Sequence, residues 1–98
     1  MEITIQSVNF DTSESVNAYI RKKLGKLERF ADNIRAAEVQ LKVINATDKS
    51  NKEIGIKLLV GDQSIYVSKT AEIYEDAISQ ATEALERQLK RAKEKKQG

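Results

Sequence analysis

The stretch "AEVQLKVINATDKSNKEIGIKLLVGDQSIYVS", residues 37–68, decides the fold. Its apolar residues fall at every second position, the period of a strand with one buried face. Ala37, Val39, Leu41 and Val43 share one side of a first segment, 37–43, and Ile54, Ile56, Leu58 and Val60 share one side of a second, 53–60. Between them "NATDKSN", 45–51, is a polar turn cluster. "GDQS", 61–64, reads as a hairpin turn into a short last strand, "IYVS", 65–68. Three strands joined by short turns make an antiparallel meander.

Working outward, residues 2–10 begin with the same alternation, Ile3 and Ile5 standing between Glu2, Thr4 and Gln6. "DTSE", 11–14, then offers three good helix caps, and Asp11 with Glu14 has the spacing of a capping box. Val16, Ile20, Leu24, Leu27 and Phe30 follow at steps of three and four, which predicts an amphipathic helix over 13–31. Gly25 inside that helix costs about 1 kcal/mol relative to Ala, a loss that close packing would offset. After the meander a second helix is expected from about residue 71, burying Tyr74, Ala77, Ile78, Ala81, Leu85 and Leu89. The order is therefore β-α-β-β-β-α.

A right-handed crossover makes the first two strands parallel if they are neighbours. Each helix then runs back along the strand it follows, so the two helices run in the same direction. One apolar side per strand puts both helices on one face. The expected class is α+β: a two-layer sandwich with a four-stranded sheet and two parallel helices on one side. At 98 residues it is one domain, and it ends in a basic tail, about 93–98, expected to fray.

The composition excludes several functions. The chain has no Cys and no His, so thiolate metal sites, disulfides and the commonest general base are absent. Its four Gly lie at 25, 55, 61 and 98 and form no phosphate-binding loop. No cofactor, metal or small-molecule substrate is implied, and the chain does not read as an enzyme. No apolar run approaches the ~20 residues of a membrane span, and "MEITIQSVNF" is not a signal peptide. A cytoplasmic protein, monomeric when free, is expected.

Net charge is only +2, but its distribution is uneven. Residues 72–86 carry five acids and no base, whereas 87–96 carry six bases and one acid, and 21–29 carry five bases and one acid. On a helical wheel Lys22, Lys26 and Arg29 fall within about 60° of one another, away from the apolar side. Arg87, Lys90 and Arg91 also lie opposite the apolar stripe of their helix. With parallel helices, both clusters emerge at one end of the molecule. Bases near a helix C-terminus also complement its dipole, at about 0.3–1 kcal/mol each, and a charged helix face is often only solvated. Two coincident clusters with a basic overhang favour a polyanion contact. Tyr66, on the open sheet face beside Leu59 and Lys57, reads first as a plain surface tyrosine and second as a small stacking or partner surface.

Three strings add a resemblance. "LGKLERF" (24–30), "DAI" (76–78) and "ALERQLKR" (84–91) are similar to the ribosome hibernation promoting factors, also called ribosome-associated inhibitors or sigma-54 modulation proteins. The similarity spans essentially the whole chain. One departure shows: the family's acidic-Met-Tyr run precedes its Ala-Ile pair, whereas here the segment is "EIYEDAI" with Tyr74 one position earlier. This bears on packing more than on binding.

The resemblance implies a fold similar to double-stranded-RNA-binding domains and a single ribosome-binding domain over 1–98. It implies action on the small ribosomal subunit (16S ribosomal RNA) and the 70S ribosome, in the channel of mRNA and tRNA. Translation would be blocked there in stationary phase or stress. The matching RNA-binding positions are Lys22, Lys23, Lys26 and Arg29 on the first helix and Arg87, Lys90 and Arg91 on the second. Length and a basic tail suggest the short type, compatible with ribosome dimers if a helper exists. The competing readings are a general structured-RNA-binding module and a protein-interaction module that uses the open sheet face.

Overall fold

The computed structural model describes residues 1–8, 11–44 and 49–97, with side chains described through 93. Its elements are β1 (Glu2–Val8), α1 (Glu14–Gly25) continued by a 3₁₀ turn (Lys26–Arg29), β2 (Ile34–Val43), β3 (Lys52–Val60), β4 (Gln63–Ala71) and α2 (Tyr74–Gln97). The four strands form one sheet in the order β1-β2-β3-β4. β1 pairs parallel with β2, Ile3 beside Ala37 and Ile5 beside Val39. The two remaining pairings are antiparallel. The expected α+β sandwich is therefore the one formed.

Alternation places Ala37, Val39, Leu41, Ile54, Ile56, Leu58, Val67 and Ala71 in the core. Against them pack Ile20, Leu24 and Leu27 from the first helical segment and Ala77, Ile78, Ala81, Ala84, Leu85 and Leu89 from α2. Three alanines on the buried side of α2 let its backbone approach the sheet closely. Thr82, buried among them, donates its hydroxyl to the Ile78 and Ser79 carbonyls at 3.0 and 3.2 Å, so no polar group is stranded there.

Several boundaries differ from the sequence expectation, each for a local reason. Helix α1 is capped by Ser13, whose Oγ accepts from the Val16 N–H at 3.1 Å, and not by the Asp11–Glu14 pair. Its last turn, expected as α-helix to 31, tightens to 3₁₀ from Lys26. Strand β2 begins three residues early through a bulge: Ile34 pairs with Val60 and Ala36 with Leu59, leaving Arg35 as the extra residue. The bulge shifts the alternation, so Ile34 and Ala37 both face inward. Strand β4 runs to Ala71, so α2 starts three residues later than expected. Val43 keeps the inward phase but is half exposed. Of the turn cluster 45–51, residues 45–48 lie outside the described residues, as do 9–10 of the first strand. The closing bond from Ile44 N to Asn51 O measures 2.8 Å.

The β3–β4 turn contains two residues, Gly61 and Asp62, with Gly61 at φ 60°, the left-handed value that tight hairpins require at that position. Gly25 is different. A Cβ built on it meets nothing within 4 Å, so the close packing expected to offset this glycine is absent. The two glycines therefore respond oppositely to alanine. Gly25→Ala should stabilise by about 0.4–1 kcal/mol, because the unfolded chain loses freedom that α1 does not need. Gly61→Ala should destabilise by about 1–2 kcal/mol through left-handed strain. Urea unfolding of both variants checks this; a destabilised Gly25→Ala would show a contact around Gly25 that the structure lacks.

Candidate nucleic-acid interface

Two contacts fix how the helices sit on the sheet. Tyr19 Oη lies 2.8 Å from Ser79 Oγ. Lys90 Nζ stands 5.0 Å from the centroid of the Phe30 ring. The second pair is eleven residues further along both helical segments than the first. The segments are thus parallel and held in register, with their C-terminal halves side by side.

This register brings the sequence-predicted bases together. Lys22, Lys26 and Arg29 are exposed on the first helical segment. The 3₁₀ turn tightens their arrangement, because residues three apart nearly eclipse in that geometry. Lys26 and Arg29 therefore project from one side. On α2, Arg87, Lys90 and Arg91 are exposed at positions three and four apart, one solvent-facing side. None of Lys22, Lys26, Arg29, Arg87 or Arg91 pairs with an acid among the described residues.

Lys23 and Lys90 are engaged within the protein. Lys23 is half-buried, its ammonium 5.5 Å from the Tyr19 ring centroid. Lys90 is shared between the Phe30 ring and Glu86, whose Oε2 is 3.5 Å away. Lys23 thus packs within its own helix, whereas Lys90 bridges the two helical segments as well as adding charge. Lys93, which sequence reasoning set apart as tail, lines a groove of about 270 Å³ with Arg29, Leu89 and Ala92. Ala92 was the available signal: it extends the stripe of Leu85 and Leu89 by one more step. The backbone of α2 stays helical through Gln97. Sequence reasoning did not place the groove, because its walls come from three separate segments.

The open sheet face lacks such a concentration of charge. Lys42 is tied to Glu53 at 3.8 Å, and Lys57 stands between Glu38 and Tyr66 in the strand register. Tyr66 is 66% exposed, and its hydroxyl covers Gly55, 2.6 Å from where a Cβ would stand. Burial pushes the Tyr74 phenol above its ordinary value, but that group opens α2, at the far end from the bases. Among the described residues no group of three His, Cys, Asp or Glu is placed to hold a metal ion, and no helix is long and apolar enough to cross a membrane.

Residues 3–97 match the model of the family described as Sigma 54 modulation protein / S30EA ribosomal protein. Over 95 residues the chain is 28% identical to the ribosome hibernation promotion factor of Bacillus subtilis (strain 168), a match covering 97% of this chain and 50% of that protein. The chain thus spans about half the length of this curated relative. Among solved structures, the N-terminal domain of Thermus thermophilus Protein Y superposes with a TM-score of 0.80 at 25% identity, over 93% of this chain and 98% of that one. A ribosomal subunit interface protein from Coxiella burnetii superposes at 0.79 with 19% identity, over 95% and 98%, which speaks for the fold.

The Phe30–Lys90 contact joins the two segments at the level of the basic clusters. A cycle of Phe30→Leu, Lys90→Gln and the double variant should give a coupling of about 0.5–1 kcal/mol in urea unfolding, the range of an exposed cation–aromatic pair. Additive losses would mean that the helix ends do not touch.

Proposed function

The chain belongs to the Sigma 54 modulation protein / S30EA ribosomal protein family, and from that premise we propose that it is a ribosome-associated hibernation factor whose basic helix ends bind ribosomal RNA. The observation that carries the reading is the in-register packing of the two helical segments. It gathers five bases unpaired with any described acid, from two distant parts of the sequence, at one end of the fold. Such a surface neutralises phosphate and releases counterions, and it needs no catalytic group. The family is one of ribosome factors and not of enzymes.

In this reading residues 1–98 are one ribosome-binding domain acting in the cytoplasm, where ribosomes are. The partner is the small subunit, within the mRNA and tRNA channel of the 70S particle, and the contacts are to 16S ribosomal RNA. Lys22, Lys26, Arg29, Arg87 and Arg91 make the direct contacts. Lys23 and Lys90 contribute charge, and Lys90 also bridges the two helical segments through Phe30. Occupying the channel inhibits translation in stationary phase or stress. The protein is a monomer when free, uses no cofactor, and is compatible with ribosome dimers.

The test joins binding to stability. Replacing Lys26, Arg29, Arg87 and Arg91 together by Glu should abolish pelleting with small subunits. The melting temperature should stay within a few degrees, because all four are exposed. With the unmodified protein, five engaged bases allow a log–log salt slope of up to about −3.5, at about −0.7 for each single-stranded phosphate contact. Addition to a cell-free translation system should lower synthesis, and excess mRNA with initiator tRNA should relieve the inhibition. A charge-reversed protein that still pellets, or a salt slope near zero, would contradict the reading.

A further inference from the structure

The groove beside the basic surface has a chemistry of its own. Its floor is apolar, made by Phe30, Val60, Ile65 and Leu89, and its volume is about 270 Å³. That is below the roughly 300–1,000 Å³ of pockets for drug-sized ligands, and it suits one planar ring system. Two cations, Arg29 and Lys93, lie on its walls, and so do two carboxylates, Asp32 and Asp62. Both acids are exposed, and neither is paired with a base among the described residues.

This pattern sorts the possible occupants. A phosphate group seated in the groove would face two carboxylates, so the anion belongs outside, on Arg29 and Lys93. What enters is apolar on its faces and carries donors at its edge, because the two ionised carboxylates only accept, while the lining amides of Asn33 and Gln63 can donate or accept. An unstacked nucleobase has both properties and brings its own phosphate to the rim. Guanine fits best, since its Watson–Crick edge carries the N1–H and amino donors. Recognition of single-stranded RNA commonly works this way, with a splayed base between side chains and its edge read by polar groups.

We propose that the groove between the 3₁₀ turn, the β3–β4 hairpin and α2 takes one unstacked guanine nucleotide of the bound RNA. The base lies on Phe30, Val60 and Ile65, its donor edge meets Asp32 and Asp62, and its phosphate meets Arg29 and Lys93. This rests on the ribosome reading above and adds a base-reading element to a surface otherwise specific only for charge.

Two variants test the proposal without touching the bases. Ala92→Leu fills the groove from an exposed helical position, and Leu is a good helix former. Asp62→Asn keeps a residue that turns favour while removing a negative charge beside the basic surface. Both are measured by ribosome pelleting across a salt series and by kethoxal modification of guanines in the bound particle. The proposal expects the unmodified protein to protect one guanine edge. Ala92→Leu should weaken binding about tenfold at every salt concentration with an unchanged slope, within the range of one lost stacked base, and should restore that guanine's reactivity. Asp62→Asn should weaken binding several-fold, opposite to the tightening that charge alone dictates. Unchanged binding by Ala92→Leu, tighter binding by Asp62→Asn, or no protected guanine overturns the groove assignment while the ribosome reading stands. So does competition for the groove by a basic peptide and not by guanosine monophosphate. A salt-independent or absent interaction of the unmodified protein overturns the ribosome reading, and the groove assignment with it.

Discussion

Two helical segments that run parallel on one face of the sheet are the constraint on which the rest depends. The β1-α1-β2 crossover aligns β1 with β2, and the meander returns the chain so that α2 follows the direction of α1. Parallel neighbours place their dipoles side by side with like ends together, which is unfavourable. The sequence offsets this with charge. Glu14 stands in the first turn of α1, and Glu75 and Asp76 in the first turn of α2. Bases occupy the opposite ends, each group contributing about 0.3–1 kcal/mol. The charge separation that stabilises parallel helices is the same one that builds a cationic end. Helix stability and the proposed polyanion contact therefore draw on one arrangement, so a basic helix end in the sequence could not separate the two roles on its own.

The contacts between the helices refine this. Tyr19 with Ser79 and Phe30 with Lys90 set the register at two levels. Without the second level the basic clusters could lie at one end yet point apart. Lys90 is held over the Phe30 ring and beside Glu86, so its charge is placed before any ligand arrives, and ordering it costs little on binding. The helical backbone carries this order past Leu89. At about 1.5 Å per residue the 24 residues of α2 extend about 36 Å, most of the 44 Å long axis of the molecule. Lys93 therefore stands on a formed helix at the rim of a groove.

The sequence made the sheet and both helices legible because alternation and three–four periodicity are properties of single segments. Ile54, Ile56 and Leu58 read inward and are fully buried; Ile20, Leu24 and Leu27 read as one helical stripe and lie in the core. What escaped were features made by two segments at once. The bulge at Arg35 depends on β3, so Ile34 did not show as a core residue. Ala71 is a strand end only because Lys52 pairs with it. The 3₁₀ turn after Gly25 leaves the apolar spacing unchanged and so has no signature in the pattern. For the proposed interface, the seven bases stood out in the sequence because charge is counted directly. The division between bases without a partner among the described residues and the ring-held Lys23 and Lys90 did not, since it depends on where Tyr19 and Phe30 come to rest. The groove was invisible for the same reason: Arg29, Asp62 and Lys93 are far apart in the chain.

The central claim is that the C-terminal halves of both helical segments face the same ribosomal RNA. The chain has no cysteine, so single cysteines can be introduced cleanly at exposed positions for tethered iron–EDTA. The most direct measurement is hydroxyl-radical cleavage of small-subunit RNA from tethers at Glu28→Cys, Gln88→Cys and Glu72→Cys. The account predicts that the tethers at 28 and 88 cut overlapping sets of nucleotides, and that the tether at 72, at the acidic end, cuts none of them. Strong cleavage from 72 at the nucleotides that the other two leave intact would mean that the protein meets the ribosome with its opposite end.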